Sequence, residues 1–233
     1  MTLLTPAALP PLAAQLKTAL ARRDRAETNR LVTVLLDGRA PLGDQWRGLS
    51  QLMQVSGEWT LAHRAIDAFI ASTGNTPQAV YSKVVLLTQS QRLQEAHDLL
   101  ASLPATVPDL AGHAYVLGNT AMTLGRIDEA RAHLLTALGH RPGWGPAWLS
   151  LVTAGNLATD PLGDQLVAER AVAEKQGAAD LARYFYALGK VHADRGNHPD
   201  AFAAFARGAA LLGKEKPYSR TADAANAASA MTG

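Results

Sequence analysis

The chain has no cysteine, which excludes disulfides, thiolate metal ligation and cysteine nucleophiles and suits a reducing compartment. Aromatic residues are scarce, at 6% of 233 residues, whereas hydrophobic residues reach 48%. Alanine and leucine therefore supply most of the apolar surface, and small or unbranched apolar side chains favour closely packed helices over sheets. Alternating runs rich in Val, Ile and Tyr are missing, so the expected fold class is all-α. Excess charge of either sign is missing too: 22 Lys and Arg stand against 20 Asp and Glu, a formal net charge of +2. A nucleic-acid binder gathers basic side chains on one face. Here the densest basic run, Arg22-Arg23-Asp24-Arg25, is short and interrupted, and reads as a solvated helix junction. No apolar run approaches the roughly 20 residues that span a bilayer. Met1 to Pro11 lacks the positive region before an apolar stretch that marks a signal peptide. The expectation is a cytoplasmic protein with no nucleic acid and no membrane among its partners.

What the chain does have is an internal repeat. Ala62, Ala96 and Ala130 are spaced by 34 residues, and Ala201 follows after two periods plus three. Gly57, Gln91, Gly125 and Gly196 align in the same arithmetic, as do Ile66, Leu100, Leu134 and Phe205. Further columns read Leu49, Lys83, Leu117 and Leu188, then Gly118 and Gly189, then Pro108 and Pro142. Trp46, Val80, Ala114, Trp148 and Phe185 form an upstream column once the three-residue insertion is allowed. Small residues at a fixed interval are expected where two helices cross, because a larger side chain would push them apart. Gly57, Gly125 and Gly196 fall where a left-handed residue ends the first helix of a pair. Asp128-Glu129 sits in the first turn of a second helix, near the positive end of its dipole. Pro108 and Pro142 cannot continue a helix and so separate repeats.

A 34-residue period with Leu117-Gly118, Ala130, Leu134, Ala137 and Pro142 in one unit, and Phe185, Leu188-Gly189, Ala201 and Phe205 in another, resembles the tetratricopeptide repeat (TPR). The resemblance implies a right-handed superhelical α-solenoid of helix-turn-helix repeats. One repeat cannot bury its apolar face alone, so stacking is obligatory. The expected organisation is a single solenoid over 1–233. Residues 9–42 are an N-terminal cap pair; repeats follow at 43–76, 77–110 and 111–144. Residues 145–181 are irregular, with a first helix that breaks between Gly155 and Gly163, a new start near Pro161 and a second helix over 164–175. Residues 182–215 are the last clear repeat, and 219–231 a short capping helix.

Catalytic signatures are absent. Gly208, Gly213 and Lys214 give a G-x-x-x-x-G-K spacing, but Glu215 stands where Ser or Thr should reach magnesium. No strand precedes it, and a helix C-terminus at Gly213 explains the pattern. The seven histidines form no i, i+4 pair and no H-E-x-x-H frame, so they read mostly as exposed helix residues, with His192 between helices. Neither a G-x-S-x-G elbow nor a G-x-G-x-x-G fingerprint occurs. The reading is no catalytic, metal or cofactor site within these residues.

A surface remains. The TPR resemblance implies that the first helix of each repeat lines a concave groove. The repeat phase then assigns Arg47, Gln51 and Gln54, next Tyr81, Val85 and Gln89, next Tyr115, Asn119 and Thr123, and last Tyr186 and Lys190. Tyr81, Tyr115 and Tyr186 occupy equivalent places. Amphipathic tyrosines beside Asn and Gln suit an extended peptide, offering contact area and hydrogen bonds together. Two roles are open to them: peptide contact, or packing between helices or against a neighbouring domain.

The stretch from Tyr184 to Tyr218 adds a second resemblance. Ala187-Leu188-Gly189-Lys190, Asp194, Gly196, Ala201-Phe202, Phe205, Gly208 and Pro217-Tyr218 are similar to the last repeat of bacterial sulfotransferase family proteins that carry N-terminal TPRs. That family's catalytic domain uses 3′-phosphoadenosine-5′-phosphosulfate (PAPS) through a Gly-x-Pro-Arg-Ser-Gly-Thr type loop, which this chain does not contain. The resemblance implies a recruitment module whose partner is a protein, a peptide or its own catalytic domain. The alternatives are a free-standing adaptor and a scaffold that self-associates through 145–181.

Overall fold

Several helices begin where the sequence supplies a cap or an early proline. Leu9–Ala21 (α1) follows a 3-10 turn, Pro6–Ala8, and has a proline in its first turn. Arg25–Asp37 (α2) is capped by Asp24, whose carboxylate accepts from the Glu27 amide at 3.0 Å. Gln45–Val55 (α3) and Trp59–Ser72 (α4) come next, then Pro77–Gln89 (α5), capped by the Thr76 hydroxyl, and Leu93–Ala101 (α6). Leu110–Thr123 (α7), Ile127–His140 (α8) and Gly145–Ala154 (α9) precede Pro161–Ala168 (α10), where Asp160 accepts from the Leu162 amide. Arg170–Ala173 (α11), Ala178–Asp194 (α12) and His198–Glu215 (α13) complete the series. The structure, a computed structural model, describes residue 4, residues 6–215 and residue 221. The expected capping helix over 219–231 lies, apart from residue 221, outside them. Among the described residues there are thirteen α-helices and no strand, as the all-α class requires. None of these helices is long and apolar enough to cross a membrane.

The chain gathers into two compact units, Met1–Asp109 and Leu110–Gly233. In the first, α1/α2, α3/α4 and α5/α6 form hairpins, with α4 packed on both α2 and α5. Its core runs through Leu31, Val32, Met53, Ala62, Ile66 and Phe69. In the second, α7/α8 and α12/α13 form hairpins, and α9 packs on both α8 and α12. Its core centres on Leu134, Trp148, Leu151, Leu166, Tyr184 and Phe185.

The repeat columns take the places their chemistry requires. Ala62, Ala96, Ala130 and Ala201 are all buried. A Cβ on Gly118 would lie 2.9 Å from Leu134 Cγ, and one on Gly189 would lie 2.7 Å from the Phe205 ring, so both mark helix crossings. Gly57, Gly125 and Gly196 adopt φ of 76°, 77° and 75°. In each turn the following amide reaches the carbonyl five residues back, Glu58 to Met53 at 2.7 Å, Arg126 to Ala121 and Asn197 to His192 at 2.9 Å, closing a Schellman motif. Gln91 takes the same turn at φ 60°, with Arg92 bonded to the Leu87 carbonyl at 2.9 Å. A side chain in this region is strained. Gln91→Gly should therefore raise stability by about 0.5–1 kcal/mol; an unchanged or lower thermal midpoint would show that Gln91 bears no strain.

Two local expectations are corrected. The segment read as one helix over 164–175 forms α10 and α11, broken at Glu169 (φ −78°, ψ 2°). The Glu169 carboxylate is drawn inward, accepting Trp148 Nε1–H at 2.7 Å and the Gly143 amide at 2.8 Å. The helix expected to stop at Gly213 continues to Glu215: Gly213 is not among the glycines with positive φ, so no left-handed cap ends the helix there. The rest of the irregular segment is held by long side chains. Arg131 pairs with Asp160, Arg195 donates to the Ala158 carbonyl at 2.9 Å and to Asp164 at 2.8 Å, and the Tyr184 hydroxyl donates to the Leu166 carbonyl.

Candidate functional site

In the first unit, α3 and α5 run beside one another and present side chains at i, i+3/i+4 and i+7 spacing. Arg47, Gln51 and Gln54 of α3 face Tyr81, Val85 and Gln89 of α5 across an open cavity of about 320 Å³. Its floor is apolar: Ile66 of α4 and Leu86 of α5 are buried. Its rim is polar, and Arg47 is the only charged residue among those lining it. The Gln54 amide donates to Gln89 Oε1 and bridges the two helices at one end. Arg47 lies over the Phe69 ring at 5.8 Å, which holds the guanidinium at the rim. Burial, then the nearby Asp109 carboxylate, raises the Tyr81 phenol above its ordinary pKa. The phenol is protonated at neutral pH even at its ordinary value, so its hydroxyl can donate a hydrogen bond there.

Ser50 and Ser82 also line this cavity, and the repeat phase had not singled them out. Ser50 is committed to the Ala62 carbonyl at 2.9 Å, so it sets the approach of α3 to α4 rather than offering a free hydroxyl. A larger cavity, about 610 Å³, is lined by residues of α1 to α3, among them Leu9, Leu16, Leu35, Leu42 and Leu49. Gln45 is its one polar side chain, too little for directional recognition.

In the second unit the equivalent residues are engaged in packing. The Tyr115 ring lies 4.7 Å from that of Trp144, whose Nε1–H donates to Asp180 at 3.1 Å. Asn119 donates to the Tyr115 carbonyl at 3.1 Å and accepts from the Ser150 hydroxyl at 2.8 Å, joining α7 to α9. Tyr186 lies 6.3 Å from the Phe205 ring, over the gap left by Gly208. Lys190 pairs with Asp194 at 2.8 Å on its own helix. The three tyrosines thus differ: Tyr81 lines an open cavity, whereas Tyr115 and Tyr186 rest on neighbouring rings.

The histidines are less exposed than the sequence implied. His97 and His113 are buried, because they fall on helix faces that turn inward. His63 is half-buried with Nε2 3.0 Å from the Ser90 hydroxyl. That hydroxyl also lies 2.9 Å from the Leu86 carbonyl, so the pair is a packed contact and not an activated nucleophile. Burial, then Arg92 and Lys83, lowers the His63 pKa.

Several solved structures share this arrangement of hairpins. PilF of Pseudomonas aeruginosa is 16% identical with a TM-score of 0.55, covering 89% of this chain and 93% of its own. The nearly identical TPR-like repeats of a kinesin-light-chain-like protein of Podosopora anserina are 15% identical with a TM-score of 0.55, covering 75% and 96%. MamA of Desulfovibrio magneticus RS-1 is 18% identical with a TM-score of 0.52, covering 75% and 97%. The fold is tetratricopeptide-like. No family model and no curated protein matches the chain, so these similarities speak for the TPR-like fold and for nothing beyond it.

Proposed function

We propose that the chain is a protein-binding TPR module that receives a side chain of an extended peptide in the α3–α5 cavity of its first unit. The supporting observation is the convergence of Arg47, Gln51, Tyr81 and Gln89 around one open cavity with a buried apolar floor. A volume of about 320 Å³ accommodates one large side chain, while the glutamines and the Tyr81 hydroxyl address peptide N–H and C=O groups beside it. Tyr115, Asn119, Tyr186 and Lys190 extend this reading to the second unit, in a secondary role, since each already has an intramolecular partner.

A peptide library displayed on phage tests the assignment. Wild-type protein should enrich a sequence class, and Tyr81→Ala should weaken the selected peptides by about 2 kcal/mol, roughly 30-fold. Tyr115→Ala with Asn119→Ala should matter less for binding. Absence of enrichment, or equal affinity for the Tyr81 variant, would reject the cavity as the site.

The finer reading is that the chain is the recruiting region of a bacterial, cytoplasmic sulfotransferase, and it rests on the resemblance of residues 184–218. It places PAPS binding and sulfuryl transfer in a catalytic domain outside these residues. Mass spectrometry of the native gene product decides between this and the free-standing adaptor. A product carrying a further domain with the phosphosulfate loop supports the sulfotransferase; a product of 233 residues supports the adaptor.

A further inference from the structure

A third cavity, about 420 Å³, lies on the α11, α12 and α13 side of the second unit. Phe185, Leu188 and His192 of α12 form one wall at i, i+3 and i+7 spacing, and Asp200, Ala204 and Arg207 of α13 form another; α11 adds Arg170. The guanidinium carbons of Arg170 and Arg207 lie 5.6 and 6.0 Å from the centre of the same buried Phe185 ring. Two cations beside one ring would repel unless an anion came between or solvent screened them. Arg170 shares its charge with Glu174 at 3.1 Å. Among the described residues no carboxylate lies within ion-pair reach of Arg207. Asp200 is the one acid lining the cavity, and it already accepts from Asn197 Nδ2 at 2.7 Å. The lining itself carries two guanidiniums against one carboxylate, a net +1, and Glu174 offsets the Arg170 charge from outside it; what the cavity offers an anion is therefore the Arg207 fork, with Arg170 beside it.

We propose that this cavity binds a phosphomonoester. A tetrahedral dianion presents three terminal oxygens and a second negative charge, so it serves two guanidinium forks better than a single planar carboxylate does. Phe185, Leu188 and Ala204 supply an apolar wall for the carbon skeleton that carries the phosphate. The cavity volume falls at the small end of ordinary ligand sites, which fits a phosphorylated metabolite or one phosphorylated side chain. Peptide recognition by the first unit is a separate matter, and the two readings stand or fall independently.

Calorimetry with the full chain tests it, using phenyl phosphate, a phosphoserine decapeptide, the unphosphorylated decapeptide and benzoate as probes. Phenyl phosphate or the phosphopeptide should bind and the other two should not. Tighter binding of phenyl phosphate identifies a metabolite source, and tighter binding of the phosphopeptide a protein source. Arg207→Gln should weaken binding at least 10-fold, with an unchanged circular dichroism spectrum because the side chain is exposed. Asp200→Asn should tighten it several-fold by removing the opposing charge. Absence of phosphate-dependent binding, equal binding by Arg207→Gln, or weaker binding by Asp200→Asn would overturn the proposal.

Discussion

Gly145→Ala is expected to cost at least about 3 kcal/mol, at or beyond the upper end of ordinary overpacking. A Cβ at this position would lie 1.9 Å from the Asp180 carbonyl oxygen and 2.5 Å from the Tyr184 amide nitrogen. Both are backbone atoms of α12, so no rotamer change relieves the clash and the helices must separate. Separation would loosen Trp148 and Leu151 of α9 and Tyr184 of α12, all fully buried, so the lost packing adds to the strain. Gly139→Ala in α8 is the matched control. Nothing lies within 4 Å of a Cβ there, and although Gly139 falls in the last turn of α8, replacing it in open space should still stabilise, by up to about 0.5 kcal/mol. Thermal melts followed by circular dichroism should therefore move in opposite directions for the same chemical change. A Gly145→Ala protein that melts with the wild type would show that α9 and α12 do not approach through this glycine.

Glu169→Ala is expected to destabilise by about 3 kcal/mol. The Trp148 indole is wholly buried, and its Nε1–H has the Glu169 carboxylate as acceptor at 2.7 Å. Removing the carboxylate leaves that N–H and the Gly143 amide without their charged partner, and each buried orphan donor costs about 1–3 kcal/mol. The irregular 155–170 segment would lose its anchor to α9 at the same time. Glu169→Gln keeps a carbonyl oxygen and should lose roughly half as much, because a neutral acceptor makes about half the bond of a charged one. Tryptophan fluorescence is a direct readout, since Trp144 and Trp148 both border this contact. Equal melting of wild type and Glu169→Ala would mean that water or a neighbouring acceptor replaces the carboxylate.

The close-approach glycines differ in how visible they are in the sequence. Gly118 and Gly189 stood in one column of the 34-residue repeat, and their Cβ positions do face the packed helix, as that column implied. Gly145 belongs to no column, and only the approach of α12 shows what it is for. The left-handed turns at Gly57, Gly125 and Gly196 were legible because glycine relieves a local backbone constraint. Gln91 was legible only through its register with them. The candidate site divides in the same way. Helical phase assigned Arg47, Gln51, Tyr81 and Gln89 to one face, and they line one cavity. The same phase gave Tyr115 and Tyr186 equivalent places, but Trp144 and Phe205 stand beside them and Tyr81 has no such neighbour in its cavity.

Order along the chain carried the helices, their turns and the inward faces, because these depend on residues three, four or 34 apart. Glu169 meeting Trp148, Arg170 and Arg207 meeting Phe185, and Gly145 meeting Asp180 depend on how separate helices come to lie against one another. No spacing rule encodes such meetings, since each is fixed by the combined packing of many side chains. The positions of charge and clash in this protein were therefore settled only by the folded arrangement.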